Sequence, residues 1–229
     1  MSGMFISITK AITLDVTNFD TSNVTDMAHM FSRCSMLENL DVSNFNMSKV
    51  TNVYCMFFGC GKVKELDVSN WDTSNITVMQ SLFHSCGSLT ELDVSKFNTS
   101  KVTNMSQVFA YCSGLSALDI VRWDTSSVTS MNSLFSYCNN LKYLDVSNFD
   151  TSNVLSIEQM FAGCQKLDKL EVKNFNINNV KNLNSMFYEC TSLKNIDVSS
   201  WNTSEVQNME RMFWGCRNLE EINVSNWDT

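Results

Sequence analysis

Apolar residues recur along this chain at a fixed interval of 26 residues. The stretch LDVTNFDTSNV begins at Leu14, and closely similar stretches begin at Leu66, Leu92 and Leu144. Repetition without insertion or deletion indicates that each unit is one coil stacked on the next, so that equivalent side chains form columns. The first apolar position is occupied in turn by Leu14, Leu40, Leu66, Leu92, Leu118, Leu144, Leu170, Ile196 and Ile222. The nine apolar positions of the first unit are Leu14, Val16, Phe19, Val24, Met27, Met30, Phe31, Cys34 and Leu37.

We count position 1 from Leu14 and call the eight whole units coils 1 to 8. Position 18 is Phe and position 21 is Cys in all eight coils, and position 6 is always Phe or Trp. The expected domain organisation is a degenerate partial N-terminal coil at residues 1–13, eight repeats in one solenoid domain at 14–221, and the start of a ninth, truncated coil at 222–229.

The backbone of each coil is predicted from the spacing of its apolar residues. The letters LDV alternate apolar, acidic and apolar residues, which is typical of a short strand, and stacked strands would be parallel. From Val24 onward the apolar residues are three, three, one and three apart, which predicts a short helix or helical turn around Met27–Cys34. A second short strand at Val24–Met27, followed by one turn of helix, fits the same spacing. The expected fold class is a leucine-rich-repeat-like solenoid with short parallel strands on one face and short helices or turns on the other.

The chain turns without the usual punctuating residues, since it contains no Pro and only 7 Gly. Each strand is followed instead by Asp-Thr-Ser or a close variant. Side chains of Asx and hydroxyl residues can bond the nearby backbone, and we expect them to form the turns. The regular threonines could also form a flat hydroxyl array of the kind found on ice-binding solenoids, but turn formation explains them without it.

Charge and motifs restrict the function. The net charge of −8 disfavours binding to nucleic acid or to an anionic membrane. No apolar run approaches the roughly 18 residues of a membrane helix, and the opening MSGMFISITK is too short and polar for a secretory signal. Like groups are spread along a line rather than unlike groups converging in one place, so we predict no catalytic residue, no cofactor and no enzyme activity.

The cysteine column admits three interpretations. Position 21 provides eight cysteines, and Cys55 is a ninth. A disulfide framework or a metal site would need pairs or clusters, whereas stacked cysteines repeat evenly along the chain and no C-x-x-C motif occurs. Buried free thiols that act as small apolar side chains are therefore the favoured interpretation.

Position 2 forms an acidic column that the strand pleat directs towards solvent. Stacked carboxylates repel one another. Water and neighbouring hydroxyls such as those of Ser43, Ser69, Ser95 and Ser147 could relieve the repulsion, or else a basic partner or weakly bound Ca²⁺ could do so; the calcium-loop motif itself is absent. The column consists of Asp15, Asp41, Asp67, Asp93, Asp119, Asp145, Glu171 and Asp197.

The sequence LDVSNFDTSNVLSIEQMFAGCQKL and its sister units resemble the bacterial surface-protein 26-residue repeat of the BspA-like leucine-rich repeat family. The resemblance covers residues 14–229. It rests on the period, the Phe and Cys positions and the turn residues. Members of that family are mostly surface proteins and lipoproteins of host-associated microbes, described as adhesins or left uncharacterised. The resemblance therefore implies a cell-surface or secreted location and binding rather than a reaction, although this chain shows no signal peptide.

The sequence thus favours a non-catalytic surface adhesion or protein-interaction solenoid that binds an extended partner, a protein or glycan on another cell surface, through its repetitive face. The alternative is a structural or self-assembling element joined end to end through uncapped solenoid termini. Departures from the repeat consensus, together with the acidic column, mark the candidate partner-binding residues. These are Asp67, Asp93, Asp119, Asp145, Arg122, Tyr111 and Tyr137.

Overall fold

The computed structural model describes residues 1–228, in which successive coils are stacked in register. The strands are β1 (Thr13–Leu14), β2 (Asn39–Leu40), β3 (Ala117–Leu118) and β4 (Tyr143–Leu144). Strand β1 pairs in parallel with β2, and β3 pairs in parallel with β4, each residue lying opposite its equivalent in the next coil. Short parallel strands at the start of a unit are thus confirmed in coils 1, 2, 5 and 6. Each is only two residues long and ends at the Leu of LDV, so the Asp and Val that were predicted to continue the strand lie outside it.

A second column of parallel pairing runs through position 13, on a different part of each coil. Single residues pair there with their equivalents 26 residues later, without extending into a strand. The second strand considered at Val24–Met27 is therefore reduced to one bridging residue per coil. The column comprises Asp26, Asn52, Val78, Asn104, Ser130, Ser156, Asn182 and Asn208.

The helix predicted at Met27–Cys34 is wrong, and so is the single turn of helix in the alternative prediction, because residues 1–228 contain no helix. Within these residues there is accordingly no helix that could cross a membrane. The N–H of His29 donates instead to the carbonyl of Tyr54 in the next coil at 2.8 Å, while Met30 donates to Met27 at 3.1 Å. The hydrogen bonds thus alternate between a carbonyl of the next coil and a carbonyl three residues earlier in the same coil. The residues that donate to the next coil include His29 and Arg33, which adopt left-handed φ angles near 60°. Turns closed between residues three apart give the same apolar spacing as a helix, which explains the misassignment.

The core is a set of columns that run along the stack. Rings at position 18 lie parallel to one another, with centroids 5.3 to 5.8 Å apart, and they are fully buried from Phe31 to Phe187. The column extends into the opening residues, since Phe5 stacks on Phe31 at 5.7 Å. Each ring thus removes apolar surface from water and packs against a ring on either side.

The cysteines of position 21 form a hydrogen-bonded column beside the phenylalanines. The Sγ of Cys112 donates to the carbonyl of Phe83 in the preceding coil at 3.0 Å, and the other seven position-21 thiols repeat this bond. All nine cysteines are free. The interpretation as buried free thiols is confirmed for eight of them, whereas Cys216 is half-buried. The thiol-to-carbonyl bond between coils was not predicted.

Asx side chains form the turns, as predicted. Asp124 accepts hydrogen bonds from the N–H and the hydroxyl of Ser126 at 3.0 and 2.6 Å. The next-door threonine, Thr125, is 1% exposed and donates its hydroxyl to the carbonyl of Asp150 in the following coil. The position-8 threonines are buried in this way and do not belong to a surface hydroxyl array. The position-12 threonines are exposed, so for them the array stays a prediction; they are Thr25, Thr51, Thr77, Thr103 and Thr129.

Candidate functional site

The acidic column lies on the strand face, and each aspartate is held by the residue two positions later. The Oδ1 of Asp93 accepts hydrogen bonds from the N–H and the hydroxyl of Ser95 at 3.0 and 2.7 Å. Asp119 differs, because Val121 provides only an N–H, at 3.4 Å. The candidates Asp67, Asp93 and Asp119 are exposed, and Asp145 is half-buried.

These hydrogen bonds favour the ionised carboxylates. The hydroxyl and N–H of Ser95 lower the pKa of Asp93, and nearby Lys96 adds a smaller effect in the same direction. The hydroxyl and N–H of Ser147 lower the pKa of Asp145 in the same way. Neighbouring hydroxyls thus hold Asp93 and Asp145 as expected, and a basic partner for the column stays a prediction. No group of three or more His, Cys, Asp or Glu side chains that could hold a metal ion occurs in residues 1–228.

Arg122 lies three residues after Asp119, beyond the end of the strand segment. Its side chain is exposed. It forms no ion pair within the part of the chain that the structure describes. The structure thus leaves this guanidinium accessible to solvent near the acidic column.

Tyr111 and Tyr137 belong to a row of four stacked rings on coils 2 to 5, which we call the aromatic strip. Ring centroids are 4.5 Å apart between Phe58 and His84, 5.4 Å between His84 and Tyr111, and 4.9 Å between Tyr111 and Tyr137. Tyr111 is 48% exposed, and the other three are half-buried. Burial lowers the pKa of His84, so its imidazole is neutral at physiological pH and fits a largely apolar strip.

The structure brings the two candidate tyrosines into contact with each other but not with the candidate aspartates. The tyrosines stand at position 20 and the aspartates at position 2. Phe58 and His84 complete the strip from position 19, and neither was among the predicted partner-binding residues. The signal was present as one ring per coil at position 19 or 20 in coils 2 to 5.

A broad groove on the strand face of the later coils was also not predicted. It has a volume of about 1060 Å³ and is lined by residues that include Lys169, Glu171, Lys194 and Asp197. Its lining carries charges of both signs and is mostly acidic, and Asp197 pairs with Lys173 at 3.0 Å. The hydroxyl of Ser199, together with Lys173, lowers the pKa of Asp197 to about 2.

Comparison with known proteins identifies a repeat family. No curated protein matches the chain. A leucine-rich cell surface protein from Faecalibacterium prausnitzii is 16% identical, over 96% of this chain and 74% of its own, with a TM-score of 0.44. A leucine-rich repeat protein from Bacteroides ovatus is 18% identical, over 66% of this chain and 43% of its own, with a TM-score of 0.37.

One family model matches four overlapping segments, residues 1–117, 53–147, 88–194 and 134–229, which together span the whole sequence. The overlapping matches confirm the resemblance to a repeat family that the 26-residue period indicated. The chain belongs to the family described as Mycoplasma protein of unknown function, DUF285.

Proposed function

We propose that this chain is a non-catalytic adhesion or protein-interaction module of a cell surface, whose stacked coils form a leucine-rich-repeat-like solenoid that binds an extended partner. The observation that carries the proposal is the aromatic strip. Four rings on four successive coils contact one another and remain accessible to solvent. A row of this kind can contact a partner over several coils, so that modest contributions from each coil add up.

The residues of the strip suit such a contact. Tyr and Trp are enriched among the residues that dominate binding energy, because a large ring is immobilised at a small cost in conformational entropy. In the aromatic strip that cost is reduced further, since Tyr111 and Tyr137 already support each other with ring planes inclined by only 8°. A partner would therefore meet a preorganised surface.

The acidic column supports the proposal in a second way. The carboxylates of Asp93 and Asp145 are fixed by hydrogen bonds to Ser95 and Ser147, which favour their ionised forms. A fixed row of negative charges accelerates the approach of a basic partner and repels acidic ones, and its effect weakens with salt. We infer that this column contributes to the association rate and to the choice of partner, while the strip contributes to the lifetime of the complex.

The test compares binding of the fluorescently labelled chain to arrays of host surface proteins and glycans. We expect the double variant Tyr111→Ser/Tyr137→Ser to lose the signal that the parent chain gives. Tyr143→Ser is the matched control, because Tyr143 is 65% exposed on β4 and lies outside the strip. Equal signals from the parent and the double variant would refute the role of the strip. The triple variant Asp93→Asn/Asp119→Asn/Asp145→Asn tests the acidic column separately, through the salt dependence of the association rate.

A further inference from the structure

Coil 6 interrupts the row of aromatic rings. Coils 2, 3, 4, 5, 7 and 8 each carry one ring, at position 19 or position 20, and no ring at the other of these two positions. In coil 6 the two positions are Ala162 and Gly163, so no ring is present. Rings resume in coils 7 and 8 with Tyr188 and Trp214, whose centroids are 4.8 Å apart.

The interruption leaves an open cleft with a volume of about 140 Å³. Gly163 keeps the Tyr137 ring at its edge, because a Cβ atom at Gly163 would lie only 2.6 Å from the Cδ1 of Tyr137. The cleft is therefore bounded by an aromatic side chain from the coil before it and another from the coil after it. Six residues line it, namely Tyr137, Gln159, Ala162, Ser185, Tyr188 and Arg211.

The lining combines aromatic rings with three groups that form hydrogen bonds. Gln159, Ser185 and Arg211 all stand at position 16 and follow one another along coils 6 to 8. The Nε of Arg211 contacts Glu210 at 3.3 Å in an exposed pair, which leaves its two terminal nitrogens available. Gln159 accepts one long hydrogen bond from the hydroxyl of Ser133, at 3.5 Å, through Oε1. Its amide NH₂ forms no hydrogen bond within residues 1–228.

We propose that this cleft binds one pyranose ring of a glycan. A pyranose presents C–H groups that pack on aromatic rings, and it carries hydroxyls around its edge that can pair with an amide, a hydroxyl and a guanidinium. An aromatic side chain of a protein partner would also fit between Tyr137 and Tyr188. It would, however, leave the polar groups of Gln159, Ser185 and Arg211 desolvated without partners, which costs free energy for each.

This inference rests on the proposed function, because it names the ligand class that the same aromatic surface would recognise. A single small ring bound in an open cleft has few atoms with which to gain free energy, so we expect a dissociation constant on the order of 1 mM. In a longer glycan, the sugar units next to the bound pyranose could contact the aromatic strip at the same time, which would strengthen binding of the whole glycan.

The experiment is a titration of the whole chain, followed by protein NMR, with methyl β-galactoside, methyl N-acetyl-β-glucosaminide and methyl α-sialoside. At least one should bind and shift the resonances of Tyr137, Tyr188 and Arg211. Ala162→Phe adds the missing ring, and we expect it to weaken binding by at least about tenfold. Position 19 holds Phe, His, Tyr or Trp in other coils, whereas Ala162 itself is only 1% exposed, so its new ring has to extend into the cleft.

Ser32→Phe is the matched control, since it adds the same ring at position 19 of coil 1, away from the cleft, and should leave sugar affinity unchanged. If Ala162→Phe fails to fold, Arg211→Gln and Gln159→Ala provide the same test with less disturbance of packing. The proposal is overturned if none of the three sugars binds, or if the cleft variants bind as the parent does. It is also overturned if N-acetyltyrosinamide binds the cleft and the sugars do not. Tyr137 lines the cleft as well as the strip, so the single variant Tyr111→Ser, which leaves the cleft unchanged, is added to the array experiment. Loss of the array signal in that variant supports the proposed function even if the cleft proposal fails.

Discussion

Removal of one ring from the phenylalanine column tests whether stability comes from contacts between neighbouring coils. We consider Phe109→Ala, because Phe109 is fully buried and lies in the middle of the column. Its ring centroid is 5.8 Å from those of Phe83 and Phe135 and 5.7 Å from that of Trp123. The variant therefore loses three aromatic contacts and leaves a cavity between coils.

The expected loss follows from these contacts. Truncation of a buried Phe to Ala costs about 3–5 kcal/mol, through lost transfer free energy and the cavity left behind. Aromatic pairs each contribute about 0.5–1.5 kcal/mol beyond burial, which places a residue with three such neighbours at the upper part of that range. We therefore expect Phe109→Ala to lower the free energy of unfolding by about 4 kcal/mol. Phe213→Ala should cost about half as much, because Phe213 is only partly buried.

Urea titration followed by circular dichroism measures the loss, and amide hydrogen exchange locates it. Because each coil contacts only its neighbours, protection should fall first in residues 66–143, on either side of the removed ring. Phe109→Leu is the conservative control and should cost less than Phe109→Ala, because it keeps most of the apolar volume and loses mainly the ring contacts. A loss below about 1 kcal/mol for Phe109→Ala would refute the tightly packed column.

Three further changes probe the side chains between coils. Ser147→Ala should raise the pKa of Asp145 towards its ordinary 3.8 in an NMR titration, because the Ser147 hydroxyl is the main cause of the lowered value. Because the pKa of Asp145 is lower in the folded chain than in the unfolded one, its ionisation adds to the free energy of unfolding above the unfolded pKa. That contribution is lost as the pH falls through the folded pKa, so the free energy of unfolding of the variant should depend less on acid pH. Iodoacetamide at about pH 8 should label Cys138 only after unfolding, since burial raises the pKa of its thiol; rapid labelling of the folded chain would contradict this. Trp123→Phe should cost about 1–3 kcal/mol in urea unfolding, because it loses the hydrogen bond from Nε1 to the carbonyl of Val94 and leaves part of the buried indole volume unfilled; an unchanged free energy of unfolding would contradict this.

The side-chain columns could be predicted from the sequence, whereas the backbone between them could not. A constant period places Phe83 next to Phe109 whatever the local conformation, because equal coils must repeat their contacts. The conformation of Met27–Cys34 depends instead on where each N–H donates. A helix and a series of stacked turns bury the same apolar residues. The spacing of apolar residues indicates only which of them are buried, so it cannot distinguish the two backbone conformations. The left-handed residues add to the difficulty, since 14 of them are not glycine.

The same unforeseen backbone explains why the candidate site was only partly predicted. The N–H of a left-handed residue points along the stack, and Tyr111 donates to the carbonyl of Ser136 in the next coil at 2.7 Å. This bond ties position 20 to the following coil, so its side chain is placed by a turn rather than by a helix face. Alternation between positions 19 and 20 could therefore not be recognised as one row while a helix was assumed.

The backbone conformation at position 20 affects which residues are favourable there. Tyr111 and Tyr137 have φ angles of 61° and 57°, a conformation that costs residues other than glycine about 1–2 kcal/mol. Glycine occupies the same position in Gly59, Gly163 and Gly215, so the fold accepts the residue that avoids this cost. Stacking between the two tyrosines offsets part of it, at about 0.5–1.5 kcal/mol for an aromatic pair. Tyrosine therefore brings little net stability at position 20, and the left-handed φ angle alone does not select it, because Arg33, Ser85 and Glu189 adopt the same conformation in other coils.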